Sequence, residues 1–86
     1  MSEERSDEFI LGRLIERSRL LIALSEEIPV ETKLQTQPLL KQLEQVLANG
    51  DVERIYVTHA LLCRELQDYA DLDALLSAMT TFLPER

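Results

Sequence analysis

His59 and Cys63 are the only histidine and the only cysteine in the chain, and they stand four residues apart in the stretch VTHALLCR. They are the side chain types best suited to hold a metal or to run nucleophilic chemistry near neutral pH. A spacing of four puts both on one face of a helix, one turn apart. A structural zinc site needs four ligands and a catalytic one three plus water, and this stretch supplies two. The nearest acids, Glu53, Glu65 and Asp68, fall outside the stripe that carries His59. A Cys–His nucleophile also needs a third group to orient the imidazole, and usually a cleft; the middle of an amphipathic stripe is the wrong setting. The pair therefore reads as a small buried hydrophobe beside a core or interface histidine with one nitrogen hydrogen-bonded. If that stripe forms a seam between copies, protonating His59 would place a charge among Val52, Leu62 and Leu66 and make association pH-sensitive.

Other candidate chemistry dissolves on the same scrutiny. Asp71 and Asp73 sit at an expected helix start, where capping and the helix dipole account for them. With glycine only at positions 12 and 50 there is no phosphate-cradling loop, and no serine stands in a nucleophile elbow. No reaction is expected, and neither a cofactor nor a metal. LANGDVERIYVTH has the helix, glycine turn, helix order of a helix-turn-helix, but its would-be recognition helix opens with Asp51 and Glu53 against a single Arg54, the wrong sign for phosphate.

The elements that position these residues follow from periodicity. From Phe9 to Ile28, Ile10, Leu14, Leu21, Leu24 and Ile28 recur at steps of four and three, with Arg17 in the missing place; this predicts an amphipathic helix that ends before Pro29. Ser6, Asp7 and Glu8 supply its cap and the negative charge its N-terminus favours. Leu11, Ile15 and Ile22 form a second row, and LLIAL, Leu20 to Leu24, surrounds the helix with apolar groups. Arg17 is expected to snorkel from the edge of the core, with Arg13, Glu16 and Arg19 forming a solvated, partly salt-bridged face.

Val30 to Gln37, a polar mixture between two prolines, reads as a connector with room for one helical turn. Pro38 then opens a second helix through Leu39, Leu40, Leu43, Val46 and Leu47 to the Asn49-Gly50 stop. Asp51 caps a third helix, whose stripe runs Val52, Ile55, Tyr56, His59, Leu62, Cys63, Leu66 and Tyr69. Asp71 caps a fourth, through Leu72, Leu75, Leu76, Met79, Phe82 and Leu83 to Pro84. Short connections fold consecutive helices into hairpins. The expected fold is all-α: a compact four-helix bundle spanning residues 9–84 in one domain, after an acidic, flexible tail at residues 1–8.

The totals narrow the partners. Sixteen acidic residues against nine basic give a net charge of −7 over 86 residues, which disfavours direct binding to nucleic acid. The apolar run LLIAL is far shorter than a membrane span requires, so no membrane partner is expected. One cysteine and an opening MSEERSDE without a signal pattern suit the cytoplasm. The two apolar rows of the first helix, with Val57 and Leu61 on the far flank of the third, exceed what a lone small bundle readily buries. Ile10, Leu14, Arg17, Leu21, Leu24, Tyr56, His59 and Cys63 are the residues expected to meet another protein or a second copy, most simply in a homodimer. The expected function is a small bacterial regulator or adaptor acting by stoichiometric protein–protein binding. The alternative is an acidic inhibitor or immunity protein covering the basic site of a nuclease or other nucleic-acid enzyme; one contiguous face holding Asp51, Glu53, Asp68, Asp71 and Asp73 would favour it. No motif assigns the chain to a family.

Overall fold

The computed structural model describes residues 3–85, with side chains from residue 7 onward. It is all-helical, with α1 at Glu3–Leu24, α2 at Val30–Asn49, α3 at Val52–Leu66 and α4 at Ala70–Thr80. Each helix packs against the one before and after it, and α1 meets α4, so the four close a ring without diagonal pairings among the described residues. This is the antiparallel up-down-up-down bundle that short connections impose.

α1 starts at Glu3, well before the expected Phe9. Residues 3–8, read as part of a flexible tail, are helical, and Ser6, Asp7 and Glu8 lie inside the helix instead of capping it; the first two residues lie outside the described range. Acidic residues in the opening turns favour a helix N-terminus, so charge extends the element here where the apolar period stops. At the other end the helix closes at Leu24. The Ser25 hydroxyl accepts a hydrogen bond from the Glu27 amide at 3.1 Å, a turn that competes with helix continuation. Ile28 is buried all the same, plugging the end of the core from the turn.

The connector expected at Val30–Gln37 is instead the first half of α2, with Pro38 inside the helix. Pro38 lacks an amide to give to the Leu34 carbonyl four residues back, a cost limited to one bond on an exposed face. The inward face of this stretch is Thr36, fully buried, whose hydroxyl donates to the Thr32 carbonyl at 2.8 Å. Val30 and Leu34 point to solvent. A polar inward residue between outward apolar ones hides the helical period.

Gly50 has φ 74° and ends α2. Its amide donates to the Leu47 carbonyl at 3.2 Å, and the Asp51 amide to Val46 at 3.1 Å, the paired bonds of a left-handed C-cap. Asp51 then accepts from the Arg54 amide at 3.3 Å, capping α3 as its sequence requires. α4 departs from expectation at both ends. Its N-cap is Tyr69, without a side-chain cap bond, so Asp71 and Asp73 lie in the first turn and act through the dipole. The helix stops at Thr80, and Phe82 and Leu83 fold back beyond it, Leu83 into the core.

The core takes Leu11, Ile15 and Ile22 from α1, Leu40, Leu43 and Val46 from α2, Ile55, Leu62 and Leu66 from α3, and Leu72, Leu76 and Met79 from α4. On α1 the inward row is the one read as secondary. Ile10, Leu14 and Leu21 are half-buried, and Leu24 and Arg17 are exposed, so Arg17 does not snorkel from the core. The inward row is completed by Ser18, fully buried, whose hydroxyl donates to the Leu14 carbonyl at 2.9 Å.

Leu66 has no solvent exposure, so Leu66→Asp buries an unpaired charge and is expected to unfold the protein, read as loss of the cooperative far-UV melt. Gly50→Ala forces a side chain into a left-handed conformation and is expected to cost about 1 kcal/mol, lowering Tm by roughly 4–8 °C.

Candidate functional site

The sequence-flagged residues divide between two places. Tyr56, His59 and Cys63 lie in the seam between α3 and α4. The His59 ring is buried, with Nε2 2.8 Å from the Leu76 carbonyl of α4. A carbonyl only accepts, so Nε2 carries the hydrogen and Nδ1 is left as an acceptor. Cys63 Sγ lies 3.8 Å from each ring nitrogen, close enough for packing and for a weak S–H contact with Nδ1. The Tyr56 hydroxyl donates to the Pro84 carbonyl at 2.7 Å, fastening the C-terminal turn to α3.

Burial, and after it the charge of Asp73, pushes the Cys63 thiol up from its ordinary value, whereas nucleophilic cysteines are held low. Among the described residues, no group of three or more His, Cys, Asp or Glu side chains is placed to hold a metal ion. His59 and Tyr56 direct their polar atoms into the chain itself. They are staples between α3, α4 and the C-terminal turn, and His59 lies in a seam within the bundle.

Ile10, Leu14, Arg17, Leu21 and Leu24 are brought together along one side of α1. Phe9, Ile10, Arg13, Leu14 and Arg17 line a shallow hollow there, and the Arg13 guanidinium sits 5.8 Å from the centre of the Phe9 ring, within cation–π range. Leu21 lines a second hollow with Ser25, Glu27, Ile28, Tyr69, Asp71 and Leu72. Arg19 pairs with Glu16 and reaches Glu44 of α2 at 3.7 Å. Lys33 donates to the Ala23 carbonyl at 3.2 Å, and Gln37 to the Arg19 carbonyl at 3.4 Å, so side chains of α2 bridge to the backbone of α1.

The acids do not form one face. Glu26, Glu27, Glu31, Asp68, Asp71 and Asp73 are exposed and gather at the end of the bundle holding the α1–α2 and α3–α4 turns. Asp51 and Glu53 lie at the start of α3, the length of a 15-residue helix away, about 22 Å.

Periodicity did not single out the outward apolar residues Phe9, Leu20, Val30 and Leu34, which are 64%, 52%, 68% and 69% exposed. The available signal was LLIAL, which wraps α1 more fully than one buried face can use. Val57 and Leu61, expected on the flank of α3 away from Tyr56 and Cys63, are exposed there.

The thiol shift has a defined sign. Because the folded value lies above the unfolded one, the unfolded chain gives up its proton first as pH rises, and stability falls through the thiol range on the alkaline side. That alkaline loss is expected to shrink in Cys63→Ala, measured by denaturant titration across the range, with the fold kept and a cost of about 1 kcal/mol below it. His59→Ala removes a buried ring and its bond to α4, and is expected to cost roughly 2–4 kcal/mol. No protein-family model, curated protein or solved structure matches this chain.

Proposed function

We propose that the chain is a small, non-catalytic helical protein that works stoichiometrically, as a bacterial regulator or adaptor, by presenting apolar helix faces to another protein or to a second copy of itself. The observation that carries this reading is the apolar surface left outside the closed bundle. Isolated exposed leucines are ordinary. Here Leu20 and Leu24 lie one turn apart on α1, Val30 and Leu34 one turn apart on α2, and the two pairs flank the crossing where Lys33 reaches Ala23. An apolar group of this kind, rimmed by Glu26, Glu27 and Glu31, has the composition of an interaction surface.

The proposed setting is the cytoplasm, where a single free thiol such as Cys63 stays reduced. Among the described residues no helix is long and apolar enough to cross a membrane. A net charge of −7 sets the partner apart from nucleic acid.

The acidic inhibitor is the second reading, and the cluster at the α1–α2 and α3–α4 turns is what supports it. Asp51 and Glu53 at the far end weaken it, because they cannot share one basic site with Asp71 and Asp73.

Two double variants separate the readings. Leu24→Asp with Leu34→Asp changes only exposed positions, so the melt is expected to stay within about 0.5 kcal/mol of wild type while association, measured by sedimentation equilibrium, is lost. Asp71→Asn with Asp73→Asn is expected to leave association intact. The reverse pattern, with binding dependent on the aspartates and relieved by salt, would replace the adaptor with the inhibitor.

A further inference from the structure

The side of α1 facing away from the core carries Phe9, Arg13, Glu16 and Leu20, all exposed. Their spacing is four, three, four, the step of a coiled-coil seam, yet among the described residues nothing else covers them, since α1 packs only against α2 and α4. The spacing reads the same in both directions. Its chemistry runs apolar, basic, acidic, apolar, so reversing the order exchanges the two charges and the two apolar groups.

We infer that a second copy of this chain occupies this face, with the two α1 helices antiparallel and a two-fold axis passing between residues 14 and 15. In that register Phe9 meets Leu20 of the second copy and Arg13 meets its Glu16, and each contact occurs twice because a two-fold interface repeats every pairing. A parallel pairing would instead stack arginine against arginine and glutamate against glutamate in successive layers. The antiparallel register is the one that converts all four layers into favourable contacts. It rests on the reading of the chain as a protein that associates through apolar helix faces, and adds the face, the partner and the register.

Net charge does not oppose this contact locally. Between Phe9 and Leu20 the outward face of α1 carries Arg13 and Arg17 with Glu16, and the turn-end acids Glu26, Glu27 and Glu31 come after the last seam residue. The intrachain contacts of these groups are solvent-exposed: Arg13 over Phe9 and Glu16 with Arg19. Interactions of that kind are weak and readily exchanged. The seam spans about 17 Å of helix, and Leu24 extends it on one flank.

The test is charge reversal read by sedimentation equilibrium at low salt on the full chain. Arg13→Glu creates two like-charge layers by symmetry and is expected to weaken dimerisation roughly 10- to 100-fold. Glu16→Arg is expected to do the same. Combining Arg13→Glu with Glu16→Arg restores opposite charges across the axis and is expected to return the dissociation constant to near the wild-type value. All three variants change exposed positions, so unchanged thermal melts separate lost association from lost folding. A wild type that stays monomeric overturns the inference together with self-association. A dimer indifferent to the single reversals but abolished by Leu24→Asp with Leu34→Asp overturns the register alone and leaves the interaction reading standing. Single variants that weaken the dimer without rescue in the double variant also overturn the register.

Discussion

The row of α1 that faces the core contains one hydroxyl, and burying it depends on one hydrogen bond, from Ser18 to the Leu14 carbonyl at 2.9 Å. Ser18 has no exposure to solvent, and a buried hydroxyl without a partner would cost on the order of 1–3 kcal/mol. Bonded back onto its own helix, the hydroxyl is satisfied without help from another element. α1 can then turn the row of Leu11, Ile15, Ser18 and Ile22 inward. The alternative row, with Arg17 in the corresponding place, would require a buried guanidinium. Burying a hydroxyl that supplies its own partner is the cheaper of the two, so Ser18 does not oppose the packing that turns this row inward.

Thr36 solves the same problem in α2, with its hydroxyl on the Thr32 carbonyl. Among the described residues no buried side-chain nitrogen or oxygen lacks a partner, so the polar core positions carry no penalty that would loosen the ring. His59 differs in kind: its bond runs to another helix, at Leu76, and it fixes α3 against α4 where the hydroxyls fix only their own helices. His59 thus ties α3 to α4, and Cys63 packs beside it against the core.

The same hydroxyls explain what could and could not be read from the sequence. The start of α3 was legible because Asp51 caps it, Gly50 before it takes the left-handed conformation that glycine tolerates, and Ile55, Leu62 and Leu66 recur at helical steps; its end was not, since the helix stops at Leu66 and Tyr69, read as the last residue of its stripe, is the N-cap of α4. The first half of α2 was not, because its inward residue is Thr36 and its visible apolar residues, Val30 and Leu34, point outward. Pro38 strengthened the misreading, since a proline is a strong stop signal in a helix interior and a weak one where the chain loses a single exposed bond. On α1 counting apolar residues chose the row with more of them, whereas burial chose the row with the small hydroxyl. A helix apolar on both sides leaves its rotation undetermined by pattern alone; packing against α2 and α4 settles it.

That rotation also sets what the surface can do. With Leu11, Ile15 and Ile22 committed to the core, Phe9, Arg13, Glu16 and Leu20 are left on the outside in a symmetric order, and no neighbouring helix covers them. Had the Ile10, Leu14, Leu21 row faced inward, the outward side would have been shifted around the helix and the symmetry of charge lost. Acidic residues at the turn end keep that end hydrated and repel non-specific contact, while the one side of α1 that mixes both signs of charge with apolar groups remains open. A small bundle with a filled core and complete internal hydrogen bonding has little reason to keep phenylalanine and leucine in water. Their placement on the outer face of its longest helix makes that helix a wall of the core on one side and, on the other, the face on which the proposed second copy would sit.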